Sequence, residues 1–347
     1  MDVRLSPEQQ ALRASVVQVV DRLGPRAVGQ LDDLERADKL DAAVGASGWR
    51  ELRVAEDDGA PLASAVEVAI VGEELGRGLA DAAFLGPTLA AELRRLAGAP
   101  ATLSAETVAL ASSLAEPWVA VDGMRASGAV AIDAHGADTA LVLVPASDGH
   151  QLAEIAVLPV ERRTDLTRPS GIAGPDSTVT LIDQQARPIT ADDLGTWTAL
   201  GLALTSADLV GAMRGAVDLA VEYATARRQY GRSIGSFQAV QHMLADAFVL
   251  MEGSRSVALH AAWAVDGLAA KDAVAAASVA KAFCARAARS VCETVIQVHG
   301  GIGNTWDCSA HVYLRRALVS TEVLGGAGAS LERVLAHHGI GASHGVR

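Results

Sequence analysis

The sequence predicts an α+β chain that is mostly helical, and three observations carry that reading. Apolar residues recur at helical spacing over the first hundred positions and again from about residue 194 onward. Between them, from about 103 to 186, the pattern changes to short β-rich runs punctuated by glycine. Half of the 347 residues are hydrophobic but only 3% are aromatic, which implies a core of small aliphatic side chains such as packed helices make.

Taken in order, Ser6-Pro7-Glu8-Gln9 predicts a helix start, with serine as N-cap, proline in the first turn and glutamine at the capping-box position. Leu12, Val16, Val19, Val20 and Leu23 then mark one face of that helix, and Ala65 to Leu79 repeats the pattern. The expected strands are Thr107–Leu114, Trp118–Val121, Ala129–Ile132, Thr139–Val144, Ala153–Leu158 and Thr178–Ile182, separated by Gly123, Gly128, Gly136, Gly149, Gly171 and Gly174. Their spacing suits a compact barrel or sandwich. Long helices are expected over about 194–227, 237–266, 271–299 and 306–336. Three units follow: a helical one over 1–102, a small β unit over 103–190 and a helical bundle over 191–347.

The net charge of −12 argues against nucleic acid and against an acidic membrane surface, because both need an extended basic face. No apolar run approaches the roughly 20 residues of a spanning helix, and the N-terminus lacks the pattern of a secretory signal, so a cytoplasmic location is expected. Cys284, Cys292 and Cys308 have no metal-ligand spacing and are expected to be reduced core thiols.

The segment with most chemistry is Arg227-Arg228-Gln229-Tyr230-Gly231-Arg232, with Ile234 and Gln238 beyond it, and further on Gln297-Val298-His299-Gly300-Gly301-Ile302-Gly303. A guanidinium can offer paired donors to a pyrophosphate, and adjacent glycines let backbone approach a phosphate or ribose. These two segments resemble the acyl-CoA dehydrogenase family, with its Arg-x-x-(Phe/Tyr)-Gly-(Arg/Lys)-x-Ile…Gln and Gln-x-x-Gly-Gly-x-Gly motifs. Ser47-Gly48-Trp49 and Gly72-Glu73-Glu74-Leu75-Gly76-Arg77 resemble that family's N-terminal helical domain. The order helical, β, helical also matches its fold.

The resemblance implies FAD as cofactor, with Arg227 on the pyrophosphate, Gln238 near the adenosine end, Gln297 and Gly301 against the ADP part, and Tyr230 and Gly300 beside them. It also implies an α,β-desaturation of an acyl-CoA thioester, in which a carboxylate removes the α-proton. Placed on the family's Tyr-Glu-Gly-Thr, this sequence has Val323-Leu324-Gly325-Gly326, so Leu324 stands where the glutamate base belongs. Some relatives keep the base on the preceding helix, but Leu200-Gly201-Leu202-Ala203-Leu204 is uncharged too. Glu322 is the weak substitute, Asp208 matches no base position, and His299 is expected to pack rather than react. The β region keeps Glu116-Pro117 but lacks the family's Gly-Ser-Asp, and Val130-Ala131-Ile132-Asp133 replaces its tryptophan strand.

Together these features resemble the shorter, base-lacking subunit of the α2β2 steroid-CoA dehydrogenases of actinobacteria, a group that Asp165-Leu166-Thr167-Arg168 also matches. The implied partner is a homologous longer subunit carrying the glutamate, the implied substrate a steroid side-chain CoA thioester, and the implied electron acceptor an electron-transferring flavoprotein. Two other readings stay open: a scaffold subunit with no direct role toward FAD, and a homotetrameric dehydrogenase using Glu322 as base.

Overall fold

The computed structural model describes residues 4–341 except 103–104, 117–125, 127, 162, 175–176 and 183–185. The expected strand Trp118–Val121 and the Pro117 of the Glu-Pro pair lie outside the described residues.

Four helices open the chain: α1 (Pro7–Leu23), α2 (Leu34–Ala46), α3 (Ala65–Arg77) and α4 (Leu85–Ala97). The start of α1 is the capping box read from the sequence, with the Ser6 hydroxyl accepting from Gln9 N and the Gln9 side chain accepting from Ser6 N. Gly48 turns the chain at φ 69° and delivers Trp49 into the core. The Glu-Glu-Leu-Gly-Arg end of α3 buries its two carboxylates among arginines. Glu74 meets Arg13 at 2.7 Å, Arg77 at 2.8 Å and Arg214 at 2.8 Å, so burial opposes its charge but the guanidiniums win and hold it below the usual range.

The middle strands are β1 (Glu106–Leu110), β2 (Val130–Ile132), β3 (Thr139–Ala146), β4 (Gly149–Ala156), β5 (Leu158–Pro159), β6 (Gly171–Ile172) and β7 (Thr180–Leu181). Against the β-rich runs, β1, β2 and β7 are shorter whereas β3 and β4 are longer, because a strand ends where its backbone partners end. Instead of a closed barrel or two stacked layers they form one sheet of order β5-β6-β2-β1-β3-β4-β7, in which only β1 and β3 run parallel. Strand periodicity sorts its side chains. Val108, Leu110, Ile132, Leu141, Leu143 and Leu152 join the helical core, while Ala109, Ala131, Ala140, Val142, Ala153 and Ile155 build a separate cluster on the other face.

The C-terminal bundle consists of α5 (Ala191–Ala226), a hairpin of β8 (Arg228–Gln229) and β9 (Arg232–Ser233), α6 (Gln238–Gly267), α7 (Ala270–His299), α8 (Ala310–Glu322) and α9 (Ala327–His337). One expectation fails here. The single helix expected over 306–336 is two, broken where Leu324 takes φ 61° and Gly325 φ 90°, a left-handed step that no helix continues through. A second expectation also needs correction: α5 is long and apolar enough to cross a membrane. Yet 94% of its most apolar stretch is buried within the protein, as its central place in the bundle requires. Close approach of α3 and α5 depends on glycine, since a Cβ on Gly211 would sit 1.9 Å from Glu73 O and one on Gly76 would sit 2.6 Å from Asp208 O. All three cysteines are buried and free.

Candidate functional site

Helix α5 ends at Arg227, whose N–H still donates to Tyr223 O while its own φ/ψ is extended. The chain then reverses through Tyr230 (φ 52°) and Gly231 (φ 81°), a two-residue hairpin turn that needs left-handed backbone at both positions. Ile234 N donates to Arg227 O at 2.8 Å, which closes the hairpin against the helix end. Tyr230 is 93% exposed and meets Phe237 edge-on, with ring centroids 6.2 Å apart, and the Arg232 guanidinium lies 4.3 Å over the Phe237 ring. Helix α6 starts at Gln238 immediately afterwards.

The second motif reaches the same end of the bundle. Only Leu268 and Ala269 separate α6 from α7, so the two helices run antiparallel, and Cys284 Sγ meets Ser254 O at 3.5 Å midway along them. Extending both helices by the same rise from that contact brings Gln238 level with Gly300. His299 is buried, its Nδ1 2.8 Å from Val295 O, and its ring stacks on Tyr223 at 4.5 Å, so the last turns of α5 and α7 are fastened together. It packs, as expected.

Arg227, Tyr230, Gln238, Gln297, Gly300 and Gly301 are thus gathered at one bundle end, and all six are exposed. The Arg227 side chain makes no hydrogen bond among the described residues. A Cβ at Gly300, whose φ is 65°, or at Gly301 would meet nothing within 4 Å. Exposed backbone next to a guanidinium with unused donors fits the phosphate and ribose part of a dinucleotide arriving from outside this chain.

The position expected for the base is built in the opposite sense. Leu324 is 1% exposed, its N–H donates to Leu114 O at 2.7 Å, and Arg333 donates to its carbonyl at 2.8 Å. Its Cδ1 fills the notch left by Gly201, where a Cβ would lie only 2.2 Å away, with Leu89 Cδ2 3.5 Å from the same point. Leu200, Leu202, Ala203 and Leu204 around it are buried and apolar. Glu322 is exposed at the end of α8 and its carboxylate folds over Gly326, 3.3 Å from where a Cβ would be.

Asp208 lies in a network below the notch. It accepts from Arg316 at 2.7 and 2.9 Å, pairs with Arg168 at 3.3 Å and accepts from the Ser320 hydroxyl. Arg168 also binds Asp165 at 2.8 Å and Ser320 Oγ at 2.6 Å, and Arg316 reaches Thr167 Oγ1 at 2.8 Å. Burial opposes ionisation of Asp208, yet Arg168 and Arg316 outweigh it and hold the carboxyl below its ordinary range. An aspartate so paired is a poor proton acceptor. The Asp165–Arg168 segment singled out by sequence therefore joins the sheet region to α5 and α8.

Sequence reasoning missed Lys281. It is fully buried and donates to Thr205 Oγ1 at 2.9 Å, to Ser320 O and to Val323 O at 2.9 Å, capping the carbonyls that the end of α8 leaves unpaired. Burial pulls its pKa down to about 7. The one signal available was a lysine on an otherwise alanine-lined helix face.

Known proteins resemble the chain over nearly its whole length. Residues 200–339 match the family description "Acyl-CoA dehydrogenase, C-terminal domain". Over 334 residues the chain is 30% identical to the acyl-CoA dehydrogenase IpdE2 of Mycolicibacterium smegmatis, covering 92% of this chain and 96% of that protein. Among solved structures, a variant of the Tcur3481-Tcur3483 steroid ACAD superposes with a TM-score of 0.79 at 24% identity, over 96% of this chain and 98% of that one. The ChsE4-ChsE5 complex from Mycobacterium tuberculosis superposes with a TM-score of 0.77 at 22% identity, over 98% and 99%.

Proposed function

Because the chain belongs to the acyl-CoA dehydrogenase family, we propose that it is one of two unlike subunits of an FAD-dependent acyl-CoA dehydrogenase. Its part is to hold the ADP half of a flavin whose ring lies in a homologous, longer partner. One observation carries the reading: the dinucleotide positions are open and exposed, while the base position is packed shut by Leu324 against Gly201.

When bound, FAD supplies the hydride acceptor for desaturation of the thioester between Cα and Cβ. This chain does the holding. Arg227 offers paired N–H donors to the pyrophosphate, which a lysine ammonium would not reproduce. Gly300 and Gly301 let main-chain groups come close, and the Gln238 and Gln297 amides serve the adenosine side, with Tyr230 at its edge. The partner contributes the glutamate base and most of the acyl pocket. A bulky ring-bearing CoA thioester, such as that of a steroid side chain, is the substrate class that the names of the relatives support. Electrons then pass to an electron-transferring flavoprotein.

Co-purification with the longer homologue tests this. Arg227→Ala is expected to weaken flavin retention roughly tenfold or more while the two chains stay associated, with Arg227→Lys recovering only part of it. Full flavin retention by the Arg227→Ala complex would overturn the reading. So would the lone chain binding one FAD per subunit and oxidising acyl-CoA unaided.

A further inference from the structure

Asp133 is a buried acid that belongs neither to the dinucleotide positions nor to the Leu324 notch. It follows β2 directly and takes φ 50°, left-handed backbone that aspartate and asparagine tolerate better than most side chains. Only 4% of it is exposed. Its Oδ2 accepts from Phe84 N at 2.7 Å, at the start of α4, so this one side chain ties the sheet to the helical core. Its Oδ1 has no hydrogen-bond partner among the described residues. A bare carboxylate oxygen in such a place carries a large desolvation penalty. Asp133 also lines a cavity of about 10 Å³, together with Phe84, Arg168, Asp208 and Arg316, which is room for one water molecule.

The charges nearby are already matched. Asp165 and Arg168 come from the segment before β6, Asp208 from α5 and Arg316 from α8, and these two carboxylates and two guanidiniums pair with one another. Arg50, on the turn at Trp49–Glu51, pairs with Asp41. His135, two residues on, lies 3.8 Å from Asp38. An ionised Asp133 would therefore add a third carboxylate to a balanced buried group, with one oxygen still unbonded. Burial raises its pKa and outweighs the pull of Arg168, of the Phe84 N–H, of Arg316 and of Arg50.

We propose that Asp133 is a neutral carboxylic acid at neutral pH, donating from Oδ1 to one water in this cavity, and that it serves as a pH-sensitive latch between sheet and helices. The native state keeps a proton that the unfolded chain releases near pH 3.9, so stability from this group falls as pH rises. Infrared spectra of the full chain carrying isotope-labelled aspartate test the protonation. At pH about 7 the parent should show the C=O stretch of a protonated aspartic acid, lost in Asp133→Asn. Asp165 and Asp208, held ionised by their guanidiniums, give no such band, so the labelled parent decides even if the variant fails to fold. Urea unfolding of both proteins tests the latch. Asp133→Asn suits the left-handed backbone and keeps an acceptor for Phe84 N. The parent-to-variant ratio of folding constants should fall about tenfold per unit over roughly pH 5 to 7. No such band in the parent, a band that persists in the variant, or a ratio indifferent to pH would overturn the assignment. So would saturable stabilisation by sodium or potassium lost in Asp133→Asn, which would put a cation beside an ionised Asp133. No flavin is involved, so this proposal and the Arg227→Ala test can fail separately.

Discussion

Restoring the family's carboxylate by Leu324→Glu should cost stability and give no activity to the lone chain. Leu324 is 1% exposed and packs on Gly201 and Leu89, so losing its burial removes about 2–3 kcal/mol. A carboxyl in that apolar notch stays protonated, and holding it so costs about 1.4 kcal/mol for each pH unit above its ordinary value near 4.3, hence roughly 1 kcal/mol at pH 5 and roughly 4 at pH 7.5. The sign follows from proton binding. With the folded pKa raised, the native state holds more protons than the unfolded one above that ordinary value, so stability falls as pH rises. The total loss is therefore roughly 3–4 kcal/mol at pH 5 and roughly 6–7 at pH 7.5. Guanidinium denaturation of parent and variant at the two pH values measures it. An equal loss at both would mean that water reaches the notch. A stable variant that oxidises acyl-CoA alone would refute the packed-shut description entirely.

Two further outcomes are expected. Gly201→Ala places a Cβ 2.2 Å from Leu324 Cδ1 and should cost about 1–3 kcal/mol, a loss that largely disappears in a Leu324→Ala background; a double-mutant cycle read by urea unfolding checks the coupling. Lys281, with its folded pKa near 7 against an ordinary value near 10.4, leaves the unfolded state binding more protons between those values. This lysine should thus contribute a rise of roughly 1–2 kcal/mol from pH 7 to 8.5, a contribution lost in Lys281→Met. Above about pH 9 the trend should reverse, because burial pushes the Cys284 and Cys292 thiols up to about 12 and the native state then holds protons that the unfolded state has lost.

Much of the fold was legible because its signals are local. The Ser6–Gln9 capping box, the Gly48-Trp49 turn and the apolar faces of α3, α5, α6 and α7 each depend on residues within a few turns of one another. The break after Glu322 was not legible from periodicity, since Val323, Leu324 and Leu331 continue an apolar pattern; Gly325-Gly326 was the only warning, and the left-handed Leu324 is held by bonds to Arg333 on the next helix and to Leu114, far off in the chain. The sheet order escaped as well, because pairing of β1 with both β2 and β3 is a long-range choice that alternation does not encode. Of the site, the family resemblance implied that Arg227, Gln238, Gln297 and Gly301 serve the same ADP half of FAD, and the exposed positions lie at one bundle end. Lys281 left only a faint signal, a single lysine in an alanine-rich helix, because its partners Thr205, Ser320 and Val323 lie on other elements.

The interlock of Leu324 with Gly201 also bears on how reversible such a chain is. Putting back the acid meets a hydrocarbon recess shaped for a branched alkyl group, while enlarging residue 201 first collides with that same group. Each single step is uphill, so seating an acid at this position needs paired changes made together, with steric fit rather than reactivity as the barrier.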